Sequence, residues 1–323
     1  MEISAVSQKI YSQVNRAKNI LLITHQNPDA DALGSLASFE QWLRNLSKNY
    51  TKFCLTQPAK NLSWLIDFEP LVAEGEKLIQ ENYDLAIIFD SGDLAYAGVD
   101  KIIPRLNPRP LIINIDHHPT NIFFGDINLV DPSAVSTTEI IYQLFKLLKI
   151  KISAKIASAM LAGIIGDTYN FTNPNTNCQS LISASNLLLA GANLDLISSS
   201  IFKNKTVEIL KIWGEILVRL SYNPELKIVS TVVTADDLKG NLPVAEITDG
   251  VANFLNNLAG VKAALILEQQ EQGLIKGSFR TNDDLIDVSK LARILGGGGH
   301  RKAAGFKIKG QLARTESGEW QIV

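Results

Sequence analysis

Residues 19–31 read NILLITHQNPDAD, and this stretch decides the fold class. NILLIT (19–24) is a short, nearly unbroken apolar run, the pattern of a strand buried on both faces. It stops at His25, and Pro28 then biases Asn27 away from helix, so the segment starts as an extended loop. In an extended loop residues two apart share a face, so Asp29 and Asp31 turn toward one centre. The competing reading makes Asp31 the cap of the helical run Leu33–Leu46 and leaves Asp29 solvated.

Outward from this stretch the rhythm repeats. TKFCLT (51–56), DLAIIFD (84–90), PLIINID (110–116) and GDINLV (125–130) read as further strands. STTEIIYQLFKLLK (136–149), SAKIASAMLAGIIGD (153–167) and TNCQSLISASNLLLAGA (176–192) read as helices. Short apolar strands alternating with helices predict an α/β fold, a parallel sheet with helices on both faces. Ligands in such sheets gather at the carboxyl ends of the strands. His25 follows the first strand, Asp90 closes DLAIIFD and Asp116 closes PLIINID, so three strands deliver polar groups to one edge.

A length of 323 residues suggests two domains. GANLDLISSS gives way to a new helix, TVEILKIWGEILVRL, which places a first domain at 1–190, a linker at 191–205 and a second domain at 206–323. The second domain is smaller and α+β. LKIVSTVV (226–233), VKAALILEQ (261–269) and GLIKGSFRT (273–281) are its strands, the last two a hairpin about an EQQEQG turn. DVSKLARIL (287–295) is a short helix before GGGGH.

The net charge of −2 argues against a broad electrostatic footprint for long nucleic acid. No apolar run reaches the length of a membrane span. The first eighteen residues, MEISAVSQKIYSQVNRAK, read as an amphipathic helix without the marks of a signal peptide. Cys54 and Cys178 share no motif, so a disulfide framework is not indicated and a cytoplasmic location is the default. Cys54 reads as a small buried residue.

All four histidines fall in three motifs, so none is left for routine structural use: His25 in THQNPDADALGS, His117 and His118 in NIDHHPTN, and His300 in GGGGHRKAAG. Imidazole with carboxylate suits Mn²⁺, Fe²⁺, Zn²⁺ or Mg²⁺. Two adjacent histidines at a strand end point in different directions, so one can be a ligand while the other faces substrate. Asp90 ends an apolar strand, where charge is costly unless paired or coordinated. Asp167 follows a strongly apolar helical run; its bland reading is a helix-end polar residue. Asp93 reads as a turn acid. Taken together, six candidate ligands on one sheet edge suit two metal ions roughly 3.5–4 Å apart. GGGGH reads either as a linker or as a phosphate site, in which backbone N–H groups approach an anion beside His300, Arg301 and Lys302.

These motifs resemble the DHH phosphoesterase family, named for the triplet seen here as Asp116-His117-His118. THQNPDADALGS, FDSGD, NIDHHPTN and GIIGDT resemble its four motifs in order, and GSFRTNDDLIDVSKLARILGGGGHRKAAGF resembles the signature of its DHH-associated C-terminal domain. The resemblance implies one metal on His25, Asp29 and Asp90 and another on Asp31, Asp90, His117 and Asp167, with Asp90 bridging. Two divalent ions, Mn²⁺ foremost, are the implied cofactors. His118 would face the phosphate, and Asp116 would orient a neighbouring histidine. Arg280 and the run Gly297, Gly298, Gly299 and His300 match the family's substrate-binding positions.

The layout is similar to the oligoribonuclease/pAp-phosphatase branch, which implies short RNA or small nucleotide substrates; a homodimer is compatible with it. Related hydrolases of single-stranded DNA, linear dinucleotides or polyphosphate form the alternative. A nucleotide- or RNA-binding protein without activity is the non-enzyme reading, and the intact ligand set argues against it. Three departures bear on substrate preference. Gly166 stands where the family often has Thr, TYNFTNPNT lacks a basic residue often found there, and LAYAG replaces a stretch where many relatives carry arginine.

Overall fold

The computed structural model describes residues 3–66, 71–202, 206–238, 247, 250–256, 258–270, 273–283, 285–299, 301–316 and 318–323. They form two compact units, Met1–Asn204 and Lys205–Val323. Among the described residues no helix is long and apolar enough to cross a membrane.

The first unit contains α1 (Ile3–Arg16), β1 (Asn19–Thr24), α2 (Ala30–Asn45), β2 (Asn49–Phe53), β3 (Leu71–Val72), α3 (Gly75–Leu78), β4 (Leu85–Phe89), β5 (Leu111–Asp116), β6 (Ile127–Val130), α4 (Thr137–Leu147), α5 (Ala154–Asp167), α6 (Cys178–Leu189) and α7 (Leu194–Ile201). Its sheet is parallel throughout, in the order β3-β2-β1-β4-β5-β6. The chain runs outward from β1 to β3, then returns to lay β4 on the other side of β1. The crevice between β1 and β4 is therefore a topological switch point, where ligands of doubly wound sheets bind. The register sets Thr24 beside Phe89 and Phe89 beside Ile115. His25, Asp90 and Asp116 consequently leave their strands at one level.

The strands alternate strictly between two cores. Ile20, Leu22, Ile87, Phe89, Ile113 and Ile115 pack with residues of α1, α2, α4 and α5. Leu21, Ile23, Ala86, Ile88 and Ile112 pack under Leu78 of α3 and an irregular cover including Val99, Ile103 and Leu106. Helix cover is thus unequal between the faces. Within the first layer α2 and α5 approach closely at Gly34, where a Cβ would lie 2.4 Å from the Ala159 carbonyl oxygen.

Two expectations change. Strand β2 lies at Asn49–Phe53 rather than 51–56, because its pairing with β1 begins at Asn19 beside Asn49. Within the expected linker, Leu194–Ile201 form α7, capped by Asn193, with Ile197 fully buried in the main core and the Ser200 carbonyl accepting from Asn61.

The second unit contains α8 (Val207–Val218), β7 (Ser221–Asn223), β8 (Ile228–Val233), α9 (Val251–Asn256), β9 (Ala263–Gln270), β10 (Leu274–Arg280), α10 (Val288–Ile294), β11 (Gly298–Gly299), β12 (Ala303–Lys309), β13 (Leu312–Arg314) and β14 (Trp320–Ile322). A mixed sheet runs β11-β12-β10-β9-β8-β7, with β8 and β9 parallel and the other pairs antiparallel.

Candidate metal and phosphoester site

Pro28 and Asp29 together start α2. Asp29 is the N-cap and its Oδ1 accepts from the backbone N–H groups of Asp31 and Ala32. The roles weighed from sequence are therefore exchanged. Asp29 caps the helix at the exposed rim, while Asp31 lies in the first turn, fully buried. The two aspartates reach one region through a helix start, not an extended loop.

Asp31 is held by a second helix start. The backbone N–H groups of Thr137 and Thr138 donate to its two oxygens at 2.6 and 2.9 Å, and Thr138 Oγ1 donates to Oδ1 at 2.6 Å. The first turn of α4 is thus an anion site occupied by a carboxylate of the same chain. Gly163 on α5 makes room for it: a Cβ there would lie 2.3 Å from Thr138 Oγ1 and 2.5 Å from Asp31 Oδ1.

Asp90 sits at the centre. Its φ of 54° is left-handed, a strained conformation that Asp tolerates better than most residues. Its carboxylate accepts from Thr137 Oγ1 at 3.0 Å. His25 Nε2 lies 3.4 Å from Asp90 Oδ2, and His117 Nε2 lies 3.5 Å from Asp90 Oδ1 and 3.2 Å from Asp167 Oδ2. The Gln26 carbonyl is 2.8 Å from His25 Nδ1, which places the proton there in the neutral ring and the lone pair on Nε2. Cys54, buried as expected, donates its thiol to the His25 carbonyl. His118 Nδ1 meets Asp116 Oδ1 at 2.7 Å, and Asn121 donates to the other oxygen of Asp116. Tyr96 stacks on His25 with ring centroids 4.8 Å apart. Asp93 is a turn acid, its Oδ1 accepting from the Tyr96 N–H.

Electrostatics follow from this crowding. Asp31 and Asp167 stand well above the ordinary carboxylate range, first through burial and then through the negative charges around them. Asp29 shifts the same way for the same reasons, although its rim position leaves it in contact with solvent. Asp90 moves down, because His25, His117 and His118 together outweigh its burial. Burial works against charge on His25 and His118. The close carboxylate of Asp90 for the first, and the hydrogen bond of Asp116 with the charge of Asp90 for the second, overcome it and raise both to about 9.

Among the described residues three groups could each hold a metal ion: His25, Asp29 and Asp90; Asp31, His117 and Asp167; and Asp90, His117 and His118. Their donor set fits one. The spacings of 3.2–3.5 Å between histidine Nε2 atoms and carboxylate oxygens exceed those of charge-assisted hydrogen bonds. Two ligands each about 2.1 Å from a first-row divalent ion stand roughly 3.0–3.4 Å apart, which is close to what is found.

In the second unit Arg280 ends β10, half-buried. It donates to the Phe279 carbonyl and has no carboxylate partner among the described residues; burial lowers its pKa. Ala303 of β12 pairs with Arg280 on one side, and Ala304 with Gly299 on the other. A Cβ on Gly297 or Gly299 would strike β12 backbone at 2.1 or 2.7 Å, whereas nothing lies within 4 Å of one on Gly298. His300 lies outside the described residues. Thr137, Thr138, Gly163, Tyr96 and Asn121 were given no role from sequence. Only the first two carried a signal, the S-x-x-E pattern of a capped helix start at 136–139.

An α/β sheet with aspartates and histidines at its switch-point crevice, taken with the matches that follow, marks a hydrolase of phosphoester bonds. Residues 19–164 match the DHH family, N-terminal domain, and residues 232–317 match the DHHA1 domain. The chain thus carries a DHH domain followed by a DHHA1 domain. It is 29% identical to the bifunctional oligoribonuclease and PAP phosphatase NrnA of Thermus thermophilus over 291 residues, 90% of this chain and 84% of that protein. It is equally 29% identical to NrnA of Bacillus subtilis, covering 90% of this chain and 89% of that one. The crystal structure of an exopolyphosphatase-related protein from Bacteroides fragilis shares the fold, with a TM-score of 0.86, 22% identity and coverage of 95% and 92%.

Proposed function

We propose that this protein hydrolyses short oligoribonucleotides from the 5′ end and removes the 3′-phosphate of 3′-phosphoadenosine 5′-phosphate, with two divalent ions, Mn²⁺ foremost. The observation that carries the reading is Asp90, shared between the group of His25 and Asp29 and the group of His117 and His118. One ion would be held by His25, Asp29 and Asp90, the other by Asp31, Asp90, His117 and Asp167. When bound, such ions supply Lewis-acid polarisation of the phosphoryl oxygens and a lowered pKa for water. Asp31 is kept in place by the first turn of α4, and His25 presents Nε2 because Gln26 takes Nδ1. Asp116 holds the Nδ1 side of His118, which orients the ring as a donor to a phosphoryl or leaving oxygen.

Substrate binding is assigned to the second unit, through Arg280, Gly297, Gly298, Gly299 and His300. A guanidinium fork fits a terminal phosphate. Gly298, open on its outer side, leaves backbone accessible to an anion. Two free thiols, Cys54 and Cys178, suit the reducing cytoplasm. The similarity to NrnA across most of the chain supports the choice of substrate.

Side-by-side assays with Mn²⁺ on pApA, an RNA ladder, short single-stranded DNA, pAp and polyphosphate test this reading. Turnover of pApA and pAp is expected; turnover of polyphosphate alone would overturn it. Asp90→Ala is expected to reduce turnover to background. Arg280→Ala is expected to raise KM about 10–100-fold with kcat nearly kept, the scale of a lost charged hydrogen bond.

A further inference from the structure

Tyr96 has no part in the chemistry described so far, yet the loop holds it with care. Its ring lies almost parallel to His25, with centroids 4.8 Å apart and planes 21° from each other. Its carbonyl accepts from the Gln26 N–H, next to His25, and its own N–H donates to Asp93 Oδ1 at 2.7 Å. The Asp93 carbonyl accepts in turn from Ser91 Oγ. Gly98, with a φ of 71°, closes the turn against Leu55. The loops after β1 and β4 therefore fix the Tyr96 backbone, and His25 lies against one face of its ring.

One face of the ring is covered by His25, and the residue is still 43% exposed. The ring has a second face, turned away from His25, and His25 is itself proposed to hold an ion beside the phosphate ester. A group bonded to that phosphate and carrying a flat π-system would meet this face. Among phosphate esters the nucleobase is such a group, and base–aromatic stacking tolerates any base sequence. Inorganic polyphosphate has nothing to place there.

We propose that Tyr96 is a positioning and specificity residue: its inner face sets the ring plane of His25, and its outer face stacks on the base of the nucleotide being cleaved. This rests on the nucleotide-hydrolase reading above and deepens it.

The test compares wild type, Tyr96→Leu, Tyr96→Phe and Tyr96→Trp on pApA and on the same backbone without bases, reading KM and kcat separately. Loss of the stack in Tyr96→Leu should raise KM for pApA about tenfold and leave KM for the abasic substrate within about twofold. Its kcat should fall by a common factor on both substrates, the mark of a misplaced His25. Tyr96→Phe and Tyr96→Trp, which keep a ring, should hold KM for pApA within about threefold of wild type. An equal KM change on both substrates, or none, overturns the stack. So does a Phe variant as impaired as Leu, since the hydroxyl would then be the active part. Should Tyr96→Leu not fold, Tyr96→Met, which keeps bulk without a ring, is read in its place with the same expected KM changes. Failure of wild type to cleave either substrate would sink the nucleotide reading itself; cleavage of pApA with an unchanged KM in Tyr96→Leu would sink only the stack.

Discussion

Asp31 shows how the site balances charge at single positions. Three donors from α4 point at it, and such bonds favour the ionised form, yet its pKa stands well above the ordinary range. Burial and the charges of Asp90 and Asp29 prevail, because hydrogen bonds bring dipoles rather than a compensating charge. The bare site is thus short of positive charge. The position of Asp31 depends on Gly163, whose missing side chain leaves space for both Asp31 Oδ1 and Thr138 Oγ1. Gly163→Ala should displace them, with a loss of about 1–3 kcal/mol in stability by overpacking. Activity should fall at least about tenfold. Urea unfolding and steady-state kinetics check both, and wild-type kinetics in this variant would show that Asp31 need not sit where it does.

At the scale of elements, the first turn of α4 does most to build the site. Ser136 Oγ accepts from the Glu139 N–H, and the Glu139 side chain accepts from the Val135 N–H. With those donors satisfied, the Thr137 and Thr138 N–H groups are left to grip Asp31. Ser136→Ala should therefore cost about 1 kcal/mol of stability. A denaturation midpoint equal to wild type would show that the cap contributes nothing. The strands that bear the site were legible because each is an apolar run ended by a charged residue. Strand β2 was placed two residues late, since its bounds depend on pairing with β1, which no local pattern reveals. Helix α7 was missed as a packed element: its apolar face is short, and burial of Ile197 in a distant core is what holds it.

At the scale of the whole molecule, the site links proton binding to stability, and its candidate metal groups would bring metal binding into the same balance. His25 and His118 rise from 6.5 to about 9 on folding, so the stability they contribute is complete below pH 6.5 and lost as pH rises through about 9. Asp31 and Asp167 act with the same sign, because the folded chain keeps their protons to higher pH than the unfolded chain does. Asp90 acts oppositely, its contribution lost only in acid. In chelator the Tm should fall between pH 6.5 and 9. Added Mn²⁺ should raise it, by more at the upper end, where fewer protons compete for the ligands. A flat pH profile with no response to Mn²⁺ would count against both the charge balance and the metal assignment.

The sequence by itself determined that the first unit is α/β and that His25, Asp90 and Asp116 stand at the ends of three apolar strands. Apolar periodicity and abrupt polar ends are local properties, and local order expresses them directly. Only the tertiary structure decided that β1 lies beside β4 and that Asp29 rather than Asp31 caps α2. It alone brought Thr137 to Asp31 from 106 residues away and laid Tyr96 on His25. Each of these depends on strand pairing or on packing between distant segments, where free energy is gained by contacts that no single stretch of chain contains.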